Sequence, residues 1–181
     1  MFKKDFDDKT KELVSKYELS LESGISPFFE EQDLEKVFLY YFNLFEFEQA
    51  INVAELGISN FKYSFVFYNH KAETLKELSD FEQALEVLEL AEVFSPNEMA
   101  ILLNKVDVYS LLERYPEAIE LLNIAIERSI GKEKAELFLE LADVYEDAES
   151  YSEVIDSLKS CLELDNENEE ALNRIWFSVE L

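Results

Sequence analysis

The sequence predicts an all-α fold, a solenoid of stacked antiparallel helix pairs, and three observations predict it. The stretch Phe47-Glu48-Gln49-Ala50 recurs unchanged as Phe81-Glu82-Gln83-Ala84, 34 residues later. It returns as Tyr115-Pro116-Glu117-Ala118 after another 34 residues and as Tyr151-Ser152-Glu153-Val154 after 36 more. An aromatic residue three before a small one, at a fixed period, marks stacked repeats rather than one continuous core. Three Gly and three Pro in 181 residues leave little room for hairpins or flexible linkers. Leu, Glu and Ala predominate, and all three are acceptable or strong helix formers.

Setting the small residue of each motif at the twentieth position gives repeats at 31–64, 65–98, 99–132 and 135–168. A segment at 169–181 opens a fifth. Each unit reads as a helix A followed by a helix B. Residues 1–30 match no repeat. They hold a helical stretch from Asp7 to Glu22, with apolar Leu13, Val14, Tyr17 and Leu21, ended by Gly24 and Pro27. A capping helix over the first repeat is the simplest reading, with Phe28 and Phe29 docking it, and a detached arm is the alternative.

In the second repeat, Tyr68, Ala72 and Leu75 keep the i, i+4, i+7 spacing of one buried face on a helix A over 65–78. Asp80 is the expected N-cap of a helix B over 81–94, whose inner face is Ala84, Leu88 and Ala91. The third repeat offers Leu102, Val106 and Tyr109, then Ala118, Leu122 and Ala125, with Pro116 in the first turn of helix B, where no N–H is needed. Ser95-Pro96-Asn97 separates the second and third units. The fourth offers Phe138, Leu141, Ala142 and Tyr145, then Val154, Leu158 and Cys161. The 36-residue spacing implies a two-residue insertion, placed at Ile130-Gly131-Lys132-Glu133 with Gly131 marking a turn. Cys161 stands where Gly57, Ala91 and Ala125 stand in the other repeats, which makes it a small buried filler rather than a reactive thiol.

This pattern resembles the tetratricopeptide repeat (TPR) family over roughly residues 31 to 181, and within it the N-terminal part of long bacterial TPR proteins. The resemblance implies a right-handed α-solenoid whose A helices line a concave groove that receives a peptide or helix. It nominates Glu35, Leu39, Phe42 and Asn43 from the first repeat and Asn69, His70, Glu73 and Lys76 from the second. From the third come Leu103, Asn104, Asp107 and Ser110, and from the fourth Glu136, Leu139, Glu140, Asp143 and Asp147. The subfamily that grips acidic chaperone tails uses Lys, Arg and Asn in this groove. Here the corresponding places hold Glu35, Leu39, Ala100 and Asn104, so that clamp is absent. The family's small eighth position is kept by Ala72 and Ala142, enlarged at Val106, and violated by Phe38 and Trp176. Small Ala54 and Gly57 on the facing helix B are expected to compensate Phe38.

Charge narrows the partners. The chain carries 16 Lys+Arg against 41 Asp+Glu, a formal charge of −25. That field repels phosphate backbones and anionic headgroups, so nucleic-acid and membrane-surface binding are disfavoured and a basic or amphipathic protein segment fits better. The same charge also reads simply as a solubility coat. No apolar run approaches the roughly 18 residues of a membrane span, and the acidic N-terminus lacks a signal peptide. A single Cys is compatible with a reducing compartment, so the cytoplasm is expected.

Catalytic chemistry finds no foothold. His70 has no second His, Cys or Ser partner in the sequence pattern for zinc or nucleophilic chemistry. Asp165-Asn166-Glu167-Asn168-Glu169-Glu170 lacks the glycine that a calcium loop needs at its sixth position. No phosphate loop or nucleophile elbow occurs. The reading is therefore a non-enzymatic protein-binding scaffold without cofactor or metal. The alternative is a structural segment of a longer repeat array or a homo-oligomer. For that alternative the last helix carries Leu172, Ile175, Trp176, Phe177, Val179 and Leu181. Repeat position assigns Trp176 to the core-side crossing and leaves Phe177 and Leu181, four residues apart, on an outer stripe open to a second copy of the chain or a further helix.

Overall fold

A computed structural model describes residues 6–24 and 28–179, with side chains as far as Trp176. The expectations placed on Pro27, on the Phe177 side chain and on Leu181 fall outside the described residues. Among the described residues there are ten α-helices and no strand. None is long and apolar enough to cross a membrane. The chain divides into two compact units, with the boundary between Glu98 and Met99.

The first unit begins with α1 (Asp8–Ser23). Asp7 caps it by accepting the Thr10 N–H at 2.6 Å, and Gly24 closes it in the left-handed region at φ +69, returning its N–H to the Ser20 carbonyl. Leu13, Val14 and Tyr17 are buried where α1 packs on α2 (Glu31–Asn43). Leu21, expected on the same apolar face, is exposed, because it lies a turn past Tyr17, the last residue that α1 buries. Of the two docking phenylalanines only Phe29 is buried. Phe28 stands exposed. Lys16 fixes that segment, donating to the Phe28 carbonyl at 2.8 Å and lying over the Phe29 ring.

Two helix pairs complete the unit: α2 with α3 (Phe47–Asn60), then α4 (Val66–Glu77) with α5 (Phe81–Phe94). Asp80 caps α5 through the Gln83 N–H, as its place in the sequence predicts. Aromatic rings run through the unit in a chain of contacts from Phe45 to Phe47, Phe42, Phe38, His70, Phe67 and Phe61.

The nearest side chain to Gly57 comes from α4. A Cβ at Gly57 would lie 2.2 Å from Cγ of Phe67, so the glycine makes room for the Phe67 ring of α4. Phe38 is buried in the same core as Ala54 and stacks on the His70 ring.

The second unit pairs α6 (Met99–Leu111) with α7 (Tyr115–Arg128) and α8 (Gly131–Asp147) with α9 (Tyr151–Leu164), and ends in α10 (Glu169–Val179). Pro116 sits in the first turn of α7. Only Ser129 and Ile130 separate α7 from α8. The extra residues of the fourth repeat therefore lengthen a helix rather than a loop: α8 has 17 residues where α6 has 13. Gly131, at φ +60, is the first residue of that longer helix. Cys161 is fully buried and burial pushes its thiol up, in keeping with a filler. Trp176 departs from expectation. It is 67% exposed, because no helix among the described residues follows α10 to supply the surface that the eighth position meets elsewhere.

Each of the four helix pairs turns in the same way. Phe45, Ser79, Glu113 and Glu149 occupy equivalent places and all have positive φ, between 55 and 60. In each turn the next N–H (Glu46, Asp80, Arg114, Ser150) reaches back five residues to a carbonyl (Tyr41, Leu75, Tyr109, Tyr145) at 2.8–3.0 Å. These are Schellman closures built without their usual glycine.

Stability in urea reports on these contacts. Gly57→Ala should cost about 1–3 kcal/mol, because the new methyl overlaps a buried ring. Phe67→Leu in the same chain should recover part of that loss. Glu113→Gly should instead raise stability by about 0.5–1 kcal/mol by relieving a left-handed backbone at an exposed site. Equal midpoints for Gly57→Ala and wild type would mean that Phe67 does not press on this glycine.

Candidate functional site

The nominated residues fall on one set of helices in each unit. In the first unit they stand on α2 and α4, which touch directly. Leu39 is 40% exposed, while Glu35, Phe42 and Asn43 are half-buried. The Asn43 amide donates to the Leu39 carbonyl at 2.6 Å. On α4, His70, Glu73 and Lys76 are half-buried. Asn69 differs. It is buried, and its Oδ1 completes no hydrogen bond.

His70 joins the two helices. Its Nε2 lies 3.5 Å from Oε1 of Glu35 and its Nδ1 3.5 Å from Oε2 of Glu73, both longer than a good hydrogen bond. The approach of the ring is the main influence holding the Glu73 carboxyl below the usual carboxylate range, helped by Lys76 and opposed by burial. The face is thus apolar at Leu39 and Phe42 and acidic at Glu35 and Glu73.

In the second unit the nominated residues stand on α6 and α8. Leu103, Asn104, Ser110 and Leu139 are half-buried, whereas Asp107, Glu136, Glu140, Asp143 and Asp147 are exposed. The Glu140 carboxyl is pushed above the usual range, first by desolvation and then by the like charges of Asp107, Asp143 and Glu136. The residue as a whole still reaches solvent, which keeps that repulsion small in energy. Four carboxylates therefore crowd one face, and a cation placed there relieves them.

One such cation already comes from within the unit. Arg174 of α10 pairs with Asp143 at 2.5 Å and with Glu146 at 2.7 Å, with Glu170 of its own helix at 3.7 Å. Asp143 is therefore part of an ion-pair cluster as well as of the acidic face. Arg174 and Glu146 lie outside the nominated set. The signal that finds Arg174 is its register: it holds the sixth place of its repeat, as His70 and Glu140 do of theirs. Among the described residues no group of three or more His, Cys, Asp or Glu is disposed to hold a metal ion.

No protein-family model and no curated protein sequence matches the chain. Solved structures do. TTC0263, a thermophilic TPR protein of Thermus thermophilus, superposes with a TM-score of 0.68 at 18% identity over 95% of this chain and 91% of its own. The chain has the tetratricopeptide-repeat fold. MamA residues 41 to the end, from Desulfovibrio magneticus RS-1, give a TM-score of 0.66 at 16% identity over 91% of this chain and 99% of that one. The Cut9–Hcn1 hetero-tetramer of the APC/C gives 0.63 at 18% identity, covering 88% of this chain and 31% of the other. At these identities the likeness is one of TPR architecture, all-α and built of stacked helix pairs.

Proposed function

We propose that this TPR-fold chain is a non-enzymatic protein-interaction scaffold that takes a basic or amphipathic segment on its A-helix faces. The observation that carries the reading is the placing of Asp107, Glu136, Glu140 and Asp143 on α6 and α8, where desolvation first and then the neighbouring like charges lift the Glu140 carboxyl above its ordinary range. Such a face gains when a lysine or arginine of a partner arrives, and its affinity is correspondingly sensitive to salt. The first unit by itself offers the exposed Leu39 and half-buried Phe42, apolar surface that suits the apolar side of an amphipathic segment. Protein assembly by a TPR-fold chain has a parallel in the Cut9–Hcn1 hetero-tetramer.

The test uses a fluorescein-labelled helical peptide of alternating leucine and lysine turns. Its dissociation constant should weaken as salt rises. The pair Glu136→Gln and Glu140→Gln should weaken binding several-fold more than Glu120→Gln with Glu127→Gln, two exposed carboxylates of α7. Asp143 is left intact because its loss would also break the Arg174 pair. Equal losses from the two pairs would reduce the acidic faces to part of a uniform coat.

A second reading, self-association or continuation of a repeat array through the last helix, is favoured by Leu172 and Trp176. They are exposed and four residues apart on α10, so they share a face. Light scattering at high concentration should then show a dimer that Trp176→Glu returns to monomer with helicity unchanged. A wild-type chain that stays monomeric would remove self-association and leave continuation of the array or a different partner on this face.

A further inference from the structure

His70 is the only histidine of the chain, and its ring is held from four directions. Phe38 of α2 lies nearly flat against it, with centroids 4.2 Å apart and planes 13° apart, and Phe67 meets it edge-on at 6.1 Å. Glu35 of α2 faces Nε2 and Glu73 of α4 faces Nδ1. The side chain is 14% exposed, and both ring nitrogens are closed to solvent without completing a hydrogen bond.

A neutral imidazole carries one N–H and one lone pair. Whichever nitrogen holds the proton, the other turns its lone pair toward a carboxylate oxygen, and a buried polar atom is left unsatisfied. A ring protonated on both nitrogens removes the conflict, donating toward Glu35 and Glu73 at once. Its charge would also lie over the face of Phe38, where an aromatic ring attracts a cation.

We propose that His70 is a proton-operated clasp between the first and second A helices: protonated, it ties Glu35 of α2 to Glu73 of α4, and neutral, it holds only one of them. Histidine is the residue type whose ordinary change of charge falls between about pH 5 and 8, the window that the test spans. The charged groups around the ring are Glu35 from α2 and, from its own helix, Glu73 with Lys76 acting on the same carboxylate. The α3 helix sends Glu55 to Lys71 at 2.7 Å, and α5 buries Ala84, Leu85, Leu88 and Ala91, all of them uncharged. The sign is fixed by linkage. A folded state that holds the second proton more tightly than the unfolded chain gains stability on the acid side and loses it as pH rises. Acid therefore closes the joint between the two helix pairs and draws Glu35 and Glu73 inward.

The experiment is urea unfolding of the whole chain at about pH 8 and about pH 5.5, a window that spans histidine titration and stays above that of ordinary carboxylates. Wild type is measured beside His70→Gln and Glu35→Gln. The folded-to-unfolded ratio of wild type relative to His70→Gln should rise about threefold or more on going to the lower pH. Glu35→Gln should lose most of that rise. If His70→Gln does not fold, long-range proton–nitrogen NMR of the wild type decides, since its one imidazole gives unambiguous signals. A ring carrying protons on both nitrogens in the folded chain at the lower pH supports the clasp. A stability ratio that is flat or falls with acidification, or a ring that keeps a lone-pair nitrogen there, overturns it.

Discussion

Two helices can cross closely only where the side chains between them are short, and that restriction organises each pair. The second helix of every pair presents two small or modest side chains seven residues apart: Ala50 and Gly57, Ala84 and Ala91, Ala118 and Ala125, Val154 and Cys161. All eight are buried. Seven residues are close to two full turns, so both fall on one stripe. Such a stripe lets helix axes approach to the roughly 8–10 Å typical of packed helices, and the larger side chains Leu88, Leu122 and Leu158 are buried beside it. Gly57 shows how little slack remains, since even a methyl there meets the Phe67 ring. Volume is conserved locally: where one helix carries a glycine, the neighbour carries a phenylalanine.

This restriction is also why so much of the fold could be read from the sequence. Small residues at a 34-residue period, each preceded by an aromatic, mark the start of every second helix, and α3, α5, α7 and α9 begin at the aromatic of the motif. What periodicity does not reveal is which of two neighbours fills a gap. Spacing alone pairs Gly57 with Phe38 of its own repeat, because it says nothing about contacts to the next pair, where Phe67 lies. Register alone puts Trp176 inside, because the eighth position is buried only where a further helix packs on it. Two additional residues beside Gly131 read equally well as a longer loop or a longer helix, and the helix prevails because it keeps backbone hydrogen bonds within the segment. The left-handed turns are invisible for a simpler reason. Phe45, Ser79, Glu113 and Glu149 share a conformation but no chemistry.

On the candidate faces, the positions are legible in the sequence and their partners are not. The register puts Asp107, Glu136, Glu140 and Asp143 on α6 and α8, and like-charge crowding at Glu140 follows from that placement. Arg174 escapes because an arginine spans more than one turn and reaches Asp143 and Glu146 from a different helix. Register alone nominates Asn69, and its burial depends on packing that the register does not encode.

His70 and Arg174 share an electrostatic design. Both hold the sixth place of a repeat, and both reach back to carboxylates of the A helix one repeat earlier: Glu35 for His70, Asp143 and Glu146 for Arg174. In a chain of −25, repulsion between successive acidic helices opposes stacking, and a cationic side chain at this place offsets it where it acts. The two differ in permanence. A guanidinium is charged at every accessible pH, so the Arg174 link is fixed, while an imidazole is charged only when it binds a proton. The sixth place of the fourth repeat holds Glu140 instead, and there the repulsion stands: its carboxyl is pushed upward by burial and by Asp107 of the preceding A helix. A sixth-place cation draws two A helices together, whereas the sixth-place carboxylate of Glu140 adds its charge to those of Asp107, Glu136 and Asp143.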